Sequence, residues 1–431
     1  MNRKLICDIL NNEMLLATGC TEPAAIALTA ATARCHLQGE LASLELKASV
    51  NIIKNAMSAG IPGTDRTGIQ YAAALGAVAG KVDRQLQVVD DATPEEVAKA
   101  VALVDTGKVV YGRCESPEKL YVEVALTSDT GHTAKAITAG SHTHICHIEA
   151  DGVVLVDEPI ESGEGVISPS VIAEALDIQK IYEFVETIDR SQDDLHMIDQ
   201  AIKVNGRIAE VGASGDYGLN IGRNIRENQA KGWMSRTLVD DAVAATASGA
   251  DARMAGANVP VVTNSGSGNQ GITATVPILS AANTLQISED RMFRAVTLSH
   301  LMAIHIHTNF GLLSGLCGAT IAATGAACGI VYLLGGTVDQ VGKAVNNMLG
   351  DVTGMLCDGA KADCALKIST CVHTAFQCAF MALRDVEVQP SDGIVEKNPE
   401  KTIDNLVTLG NHGSPKMDDL VLEIMLSKSV H

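Results

Sequence analysis

The chain has 431 residues, 46% apolar and 19% charged, with a formal net charge of −19. That composition is globular rather than disordered, and the length suits about two domains. The acidic balance, without any basic block, argues against nucleic acid or an anionic membrane as partner.

Residues 3–38 read as helix on both sides of a loop at Thr18–Pro23, with Pro23 suited to a first helical turn and Gly39 as a stop. LASLELKASVNI, from Leu41, alternates as a strand, and KNAMSAGIPGTDRTG, from Lys54, reads as a glycine-rich loop. IQYAAALGAVAG and TPEEVAKAVALVDTG read as helices, the second capped by Thr93 and ended by Gly107. Between residues 108 and 157 the runs VVYGRCE, LYVEVALTS, TAKAITA, THICHIEA and GVVLVDE read as short strands. From Ser168 the helical period returns, broken by glycine-rich loops at 212–222, 249–256 and 264–271. The predicted fold is α+β: residues 1–38 and 168–431 as a mainly helical domain, and 40–165 as a smaller α+β domain. Phe310–Gly336 carries no charge, but its glycines favour a buried helix over a membrane span.

Eleven cysteines in a chain this long do not make a disulfide scaffold. The N-terminal MNRKLICDILNNEM has no apolar h-region, so a cytoplasmic protein with reduced thiols is expected. Cys317, Cys357 and Cys364 each stand beside a small residue. Three thiolates can ligate a cubane iron–sulfur cluster and leave one iron open to a substrate. Cys357, Cys364, Cys371 and Cys378 recur every seven residues, about 10.5 Å along a continuous helix. All four therefore cannot reach one cluster. Cys371 and Cys378 read as a buried stripe, and Cys7, Cys35, Cys114, Cys146 and Cys328 as ordinary small side chains. Gly359 and Asp358 predict Cys357 in a loop or at a helix end, with the next helix starting between Asp358 and Asp363.

NSGSGNQG, Asn264 to Gly271, is the densest polar glycine loop. Its N–H groups can hold a carboxylate, which makes Asn264, Ser265, Gly266 and Asn269 candidate contacts. ASGADARMAGA brings Asp251 and Arg253 toward the same pocket, although Arg253 suits a structural ion pair equally. In HTHICH, alternation puts His142, His144 and Cys146 on one strand face. Either this is a zinc site or it is a strand end where His142 and Thr143 meet substrate, and periodicity leaves both open. His300, His305 and His307 read as satisfied core histidines.

GCTEPAA at 19–25, VNIIKNAMSAGIPGT at 50–64, SGADARM up to Met254, TNSGSGNQGITAT at 263–275 and GDVTGMLCDGAKADCALK at 350–367 resemble the L-cysteine desulfidase family. That family is related to the bacterial iron–sulfur L-serine dehydratases, and the resemblance covers nearly the whole chain. It implies an oxygen-sensitive [4Fe–4S] lyase that releases sulfide, ammonia and pyruvate from L-cysteine. It places the cluster ligands on Cys317, Cys357 and Cys364, the proton acceptor on Cys20, and a histidine–threonine substrate motif on His142-Thr143. A Cys20 thiolate would serve as base if its pKa is lowered at the start of the Pro23 helix. The serine enzymes end in a cysteine that caps the fourth iron; this chain ends SKSVH, so such capping is not expected. The alternatives are an L-serine dehydratase working by the same mechanism and a non-enzymatic iron–sulfur sensor. A pyridoxal-phosphate lyase is disfavoured because no Schiff-base lysine context is recognisable. The expected partner is a small amino acid, with no nucleic acid and no membrane, and the expected assembly is a homo-oligomer, most simply a dimer.

Overall fold

The computed structural model describes residues 2–160, 167–310, 314–413 and 415–428. The chain opens with α1 (Arg3–Glu13), β1 (Leu16–Thr18) and α2 (Thr21–Cys35). Next come β2 (Leu41–Ala48), α3 (Val50–Ala56), α4 (Ile69–Ala79) and α5 (Pro94–Asp105). Five strands follow: β3 (Val109–Arg113), β4 (Tyr121–Ser128), β5 (Thr133–Ala139), β6 (Ile145–Ala150) and β7 (Val153–Asp157). The helices α6 (Pro169–Ala175), α7 (Ile178–Glu186), α8 (His196–Ser214), α9 (Ile221–Ala230) and α10 (Leu238–Met254) lead to β8 (Pro260–Val262). Then come α11 (Gly268–Leu285), α12 (Glu289–Thr308), α13 (Gly318–Leu333), α14 (Val338–Asp351), α15 (Cys364–Ala382), α16 (Pro399–Thr408) and α17 (Pro415–Ser427). The fold is α+β, as its sequence pattern predicts.

Six strands form one sheet in the order β3-β2-β4-β5-β6-β7, and β1 pairs with β8 apart from it. Among the described residues only β2 and β3 run parallel, and α3 to α5 supply the long crossover that such a pair requires. Val122, Val124 and Leu126 alternate into the core from β4, so one sheet face is sealed by α2 and α4. Thr93 caps α5 with a complete capping box, its side chain on the Glu96 amide and the Glu96 carboxylate returned to the Thr93 amide.

Two large apolar cores result. One joins α1 to most of the helices after residue 167. The other gathers α2, the sheet, α3, α4 and Leu422 of α17. The α2 helix thus packs with the sheet, across the boundary that the sequence pattern drew at residue 38. The boundary near 165 lies outside the described residues, as do residues 311–313 of the apolar run and the terminal Ser429 to His431. Among the described residues no helix is long and apolar enough to cross a membrane.

Two expectations are corrected. LASLELKASVNI is not one strand: β2 ends at Ala48, and Val50 already begins α3. Residues 249–254, expected as loop, complete the buried helix α10. The small residues here serve helix contact rather than a turn. A Cβ at Gly212 of α8 would lie 1.9 Å from the Ser248 carbonyl oxygen of α10.

Candidate functional site

Four helices start at one place. Cys20 is the N-cap of α2, Ser267 of α11 and Cys317 of α13, and Cys364 is the first residue of α15. All four line a cavity of about 100 Å³, together with Cys357, Glu22, Asn55, Arg253, Asn269 and Gln270. Each helix start presents about half a positive charge and unpaired N–H groups. Cysteine is an unusual N-cap, and neither Cys20 nor Cys317 makes the side-chain bond a serine or aspartate would make there. A larger cleft of about 860 Å³ beside His373 and Phe380 is open and gathers no cysteines.

Two segments carrying cysteines are laced together. Leu316 and Leu356 form an antiparallel bridge, Cys317 N donates to Met355 O at 2.8 Å, and Cys357 N donates to Gly315 O at 2.9 Å. Cys357 lies in a loop; Asp363 holds the N-cap position of α15 without making a side-chain bond there, and the helix begins at Cys364, one residue beyond the interval anticipated from the sequence. Asp358 does not cap this helix. Its carboxylate takes Lys361 Nζ at 2.5 Å and also Lys367 Nζ, while Lys367 donates to Leu356 O at 3.0 Å. Burial opposes the charge on Asp358, but the two lysines overcome it and hold the carboxyl down to about 2. Gly359 closes the loop at φ +96°, where a Cβ would stand 2.3 Å from the Lys54 carbonyl oxygen. Lys54 itself is 1% exposed and reaches Asp418 of α17 at 2.5 Å.

The thiols of Cys317, Cys357 and Cys364 face the same space. Burial, and then the charges of Cys357 and Cys364, push the Cys317 thiol well above its ordinary value. Among the described residues no three His, Cys, Asp or Glu side chains converge tightly enough for a single metal ion. A cluster asks for wider spacing, because each thiolate meets a different iron, and an all-thiol donor set suits it.

In the same cavity lining, Cys20 Sγ donates to Glu22 Oε2 at 2.9 Å. Thr21 Oγ1 donates to the same oxygen at 3.1 Å, and Asn55 Nδ2 to Oε1 at 2.9 Å. Burial, reinforced by Glu22, raises the Cys20 thiol well above its ordinary value, with Arg253 pulling the other way. The expectation of a lowered thiolate at Cys20 is therefore not met: burial dominates. Glu22 is also penalised by burial, yet His142 and the hydrogen bonds from Cys20 and Asn55 bring it below the ordinary carboxyl value. His142 is lowered, by burial first, which keeps its ring neutral at neutral pH.

Several buried polar atoms here have no hydrogen-bond partner among the described residues: Arg253 Nε, Asn269 Oδ1, Gln270 Oε1, Asn55 Oδ1 and His142 Nε2. Arg253 is 3% exposed and, among the described residues, pairs with no carboxylate; its Nη1 contacts Met254 Sδ at 3.6 Å. Such groups are costly to bury unmatched, which marks a place built for a polar ligand.

The other predicted residues have different surroundings. Asn264 donates to His300 Nδ1 at 3.0 Å and to His300 O at 3.2 Å, while Ser265 N donates to Glu13 O at 2.9 Å. With Gly266 at φ +78°, these form the turn between β8 and α11 and do not line the cavity. Only the later part of the glycine loop, Ser267, Asn269 and Gln270, does so. Asp251 faces the start of α9, accepting from Gly222 N at 3.3 Å. Thr143 is half-buried in the turn before β6 and is not among the lining residues. The zinc reading of HTHICH finds no support among the described residues: His144 contacts Ala139 O, His147 contacts Asp157, and Cys146 contacts Ile137 O. His300 is a satisfied core residue, bonded to Asn264 and to Thr275 Oγ1 at 2.8 Å. Glu22, Asn55 and Gln270 were not anticipated; a glutamate two residues after an N-cap cysteine was the available signal.

Comparison with known proteins adds two findings. The family model described as serine dehydratase alpha chain matches residues 83–423. The chain is also 41% identical to a UPF0597 protein of Oleidesulfovibrio alaskensis, across 98% of this chain and 97% of that one. UPF0597 proteins of Clostridium perfringens and Photobacterium profundum are each 40% identical, the first over 99% of both chains and the second over 98% of both.

Proposed function

The chain belongs to the serine dehydratase alpha chain family, and on that footing we propose that it is an iron–sulfur lyase that eliminates sulfide from L-cysteine. One observation carries the reading: three cysteine thiols, a fourth cysteine and an unpaired buried arginine line a single small cavity. Cys317, Cys357 and Cys364 would hold a [4Fe–4S] cluster. When bound, it supplies a Lewis-acidic iron without a protein ligand to the departing sulfur.

The chain's own residues do the rest. Arg253, whose Nε has no hydrogen-bond partner among the described residues, takes the substrate carboxylate. The amide oxygens of Asn269 and Gln270 accept from the α-ammonium group. Cys20 faces the Cα–H from the start of α2 and receives its proton. The small cavity, about 100 Å³, leaves little room for a bulky side chain. The resulting aminoacrylate hydrolyses to pyruvate and ammonia.

The family description favours L-serine as the alternative substrate, eliminated by the same residues. Anaerobically reconstituted protein should release sulfide and pyruvate from L-cysteine with a higher kcat/KM than it forms pyruvate from L-serine. A far higher value for serine would overturn the desulfidase assignment and leave the lyase one.

Two further results are expected. Arg253→Gln removes a charge-assisted contact of about 1.5–3 kcal/mol, so kcat/KM should fall roughly 10- to 100-fold, mainly through KM. An unchanged KM would remove Arg253 from the carboxylate site. Gly359→Ala places a methyl group against the Lys54 carbonyl and requires a positive φ that alanine disfavours. Iron content after reconstitution should fall below about half, with helical circular dichroism unaltered; full iron content would show that the loop yields.

A further inference from the structure

We propose that Glu22 is the proton acceptor of Cys20, the two side chains forming a dyad that takes the substrate's Cα proton and protonates the leaving group in the same turnover. This rests on the lyase reading above and adds to it a residue that the family resemblance does not assign.

The geometry is direct. Glu22 Oε2 receives the Cys20 Sγ–H at 2.9 Å, within α2's first turn. Glu22 is 7% exposed, and its remaining bonds come from neutral groups, Thr21 Oγ1 and Asn55 Nδ2. Among the described residues it forms no ion pair with lysine or arginine. A glutamine would satisfy Thr21 and would spare the fold a buried charge, so packing alone does not explain a carboxylate here. The start of α2 stabilises the negative charge. The other titratable and charged groups facing the pair are His142, from the turn before β6, and Arg253, from the end of α10. Arg253 cannot accept a proton, and although a neutral His142 ring could, the Cys20 Sγ–H is bonded to Glu22 Oε2 and, among the described residues, not to His142, which makes Glu22 the acceptor in contact.

The need for an acceptor follows from Cys20. Its thiol is buried, and by itself it is far too weakly acidic to supply a thiolate. At rest Cys20 keeps its proton and Glu22 is a carboxylate. The Sγ–H proton passes to Oε2, and the thiolate then removes the Cα proton. The Cα–H electron pair becomes the second bond between Cα and Cβ. The Cβ–S bond breaks, and sulfur leaves with its pair as hydrosulfide. Glu22, now a carboxylic acid, protonates it. The products are 2-aminoacrylate and hydrogen sulfide; Cys20 is again a thiol and Glu22 again a carboxylate. No outside acid or base enters the balance.

The dyad is testable without cluster or substrate. Metal-free protein is treated with iodoacetamide at about pH 7.5, and modification of the Cys20 peptide is followed by mass spectrometry. Glu22→Gln also removes the charge that helps to raise the Cys20 thiol, but loss of the proton acceptor should outweigh this and slow Cys20 alkylation about tenfold or more. If Glu22 merely places negative charge beside the thiol, its removal makes Cys20 more acidic and alkylation faster; that sign overturns the proposal. Glu22→Asp, the milder change if the glutamine variant folds poorly, should slow alkylation by a smaller factor, and an unchanged or faster rate again overturns it. In reconstituted enzyme, Glu22→Gln should lower kcat about 10²- to 10⁴-fold while KM moves less than about threefold. A loss carried by KM instead would make Glu22 a binding group. Wild-type protein without lyase activity would sink the lyase reading, while the alkylation result would still decide the dyad.

Discussion

Serine in place of Cys317, Cys357 or Cys364 is expected to abolish iron retention after anaerobic reconstitution and to cut turnover by at least about 10³-fold. The three positions are not interchangeable with their neighbours. Cys317 and Cys364 sit at helix starts and Cys357 in the loop between, and all three line the cavity. Cys371 lies two turns into α15, about 10.5 Å further along, fully buried with its Sγ 3.6 Å from Met355 Sδ. Cys371→Ser should therefore keep iron content and activity within about twofold, at a modest cost in stability. Iron and acid-labile sulfide assays on the four variants check this. Iron lost from Cys371→Ser yet retained by Cys364→Ser would reverse the ligand assignment.

Lys54→Met should destabilise the folded protein by about 3–5 kcal/mol, because it leaves the Asp418 carboxylate buried without its cation. Both partners are almost wholly enclosed, so solvent cannot compensate as it would at a surface pair. The double variant Lys54→Met, Asp418→Leu should recover most of that loss, which chemical denaturation can measure. A single variant as stable as the parent would show that the charge escapes to water. Because the Lys54 carbonyl seats Gly359 and Met425 of α17 lies on the same glycine, the single variant should also bind iron less completely.

Much of the fold is legible in the sequence because period and punctuation agree. Thr93 and Gly107 bracket α5, and alternation in LYVEVALTS gives β4. The gathering of Cys317, Cys357 and Cys364 around one cavity is legible through motif and spacing, as is the placing of Cys357 outside a helix. The rest is hidden for identifiable reasons. Gly249 and its small neighbours look like a loop because glycine breaks exposed helices, yet in α10 they permit contact with α8. Glu22 looks like an ordinary acidic residue suited to a helix dipole, and only its bond to Cys20 separates it from that role. Lys54 and Asp418 are 364 positions apart, and no local pattern announces their pairing. Asn264 and Ser265 misled because a polar glycine loop has two sides, one of which holds the turn itself.

The cavity draws one wall from Cys20 and another from Cys364, so its parts lie 344 residues apart in synthesis order. At about 5–20 residues per second, a ribosome needs roughly 20–70 s to pass from the first to the last. Throughout that interval the early thiol has no partner site, and α17, which braces the Gly359 loop through Asp418, has yet to emerge. On the proposed reading a cluster can be held only once Cys364 has been made, so nascent chains halted before Cys364 should carry no iron, whatever the supply.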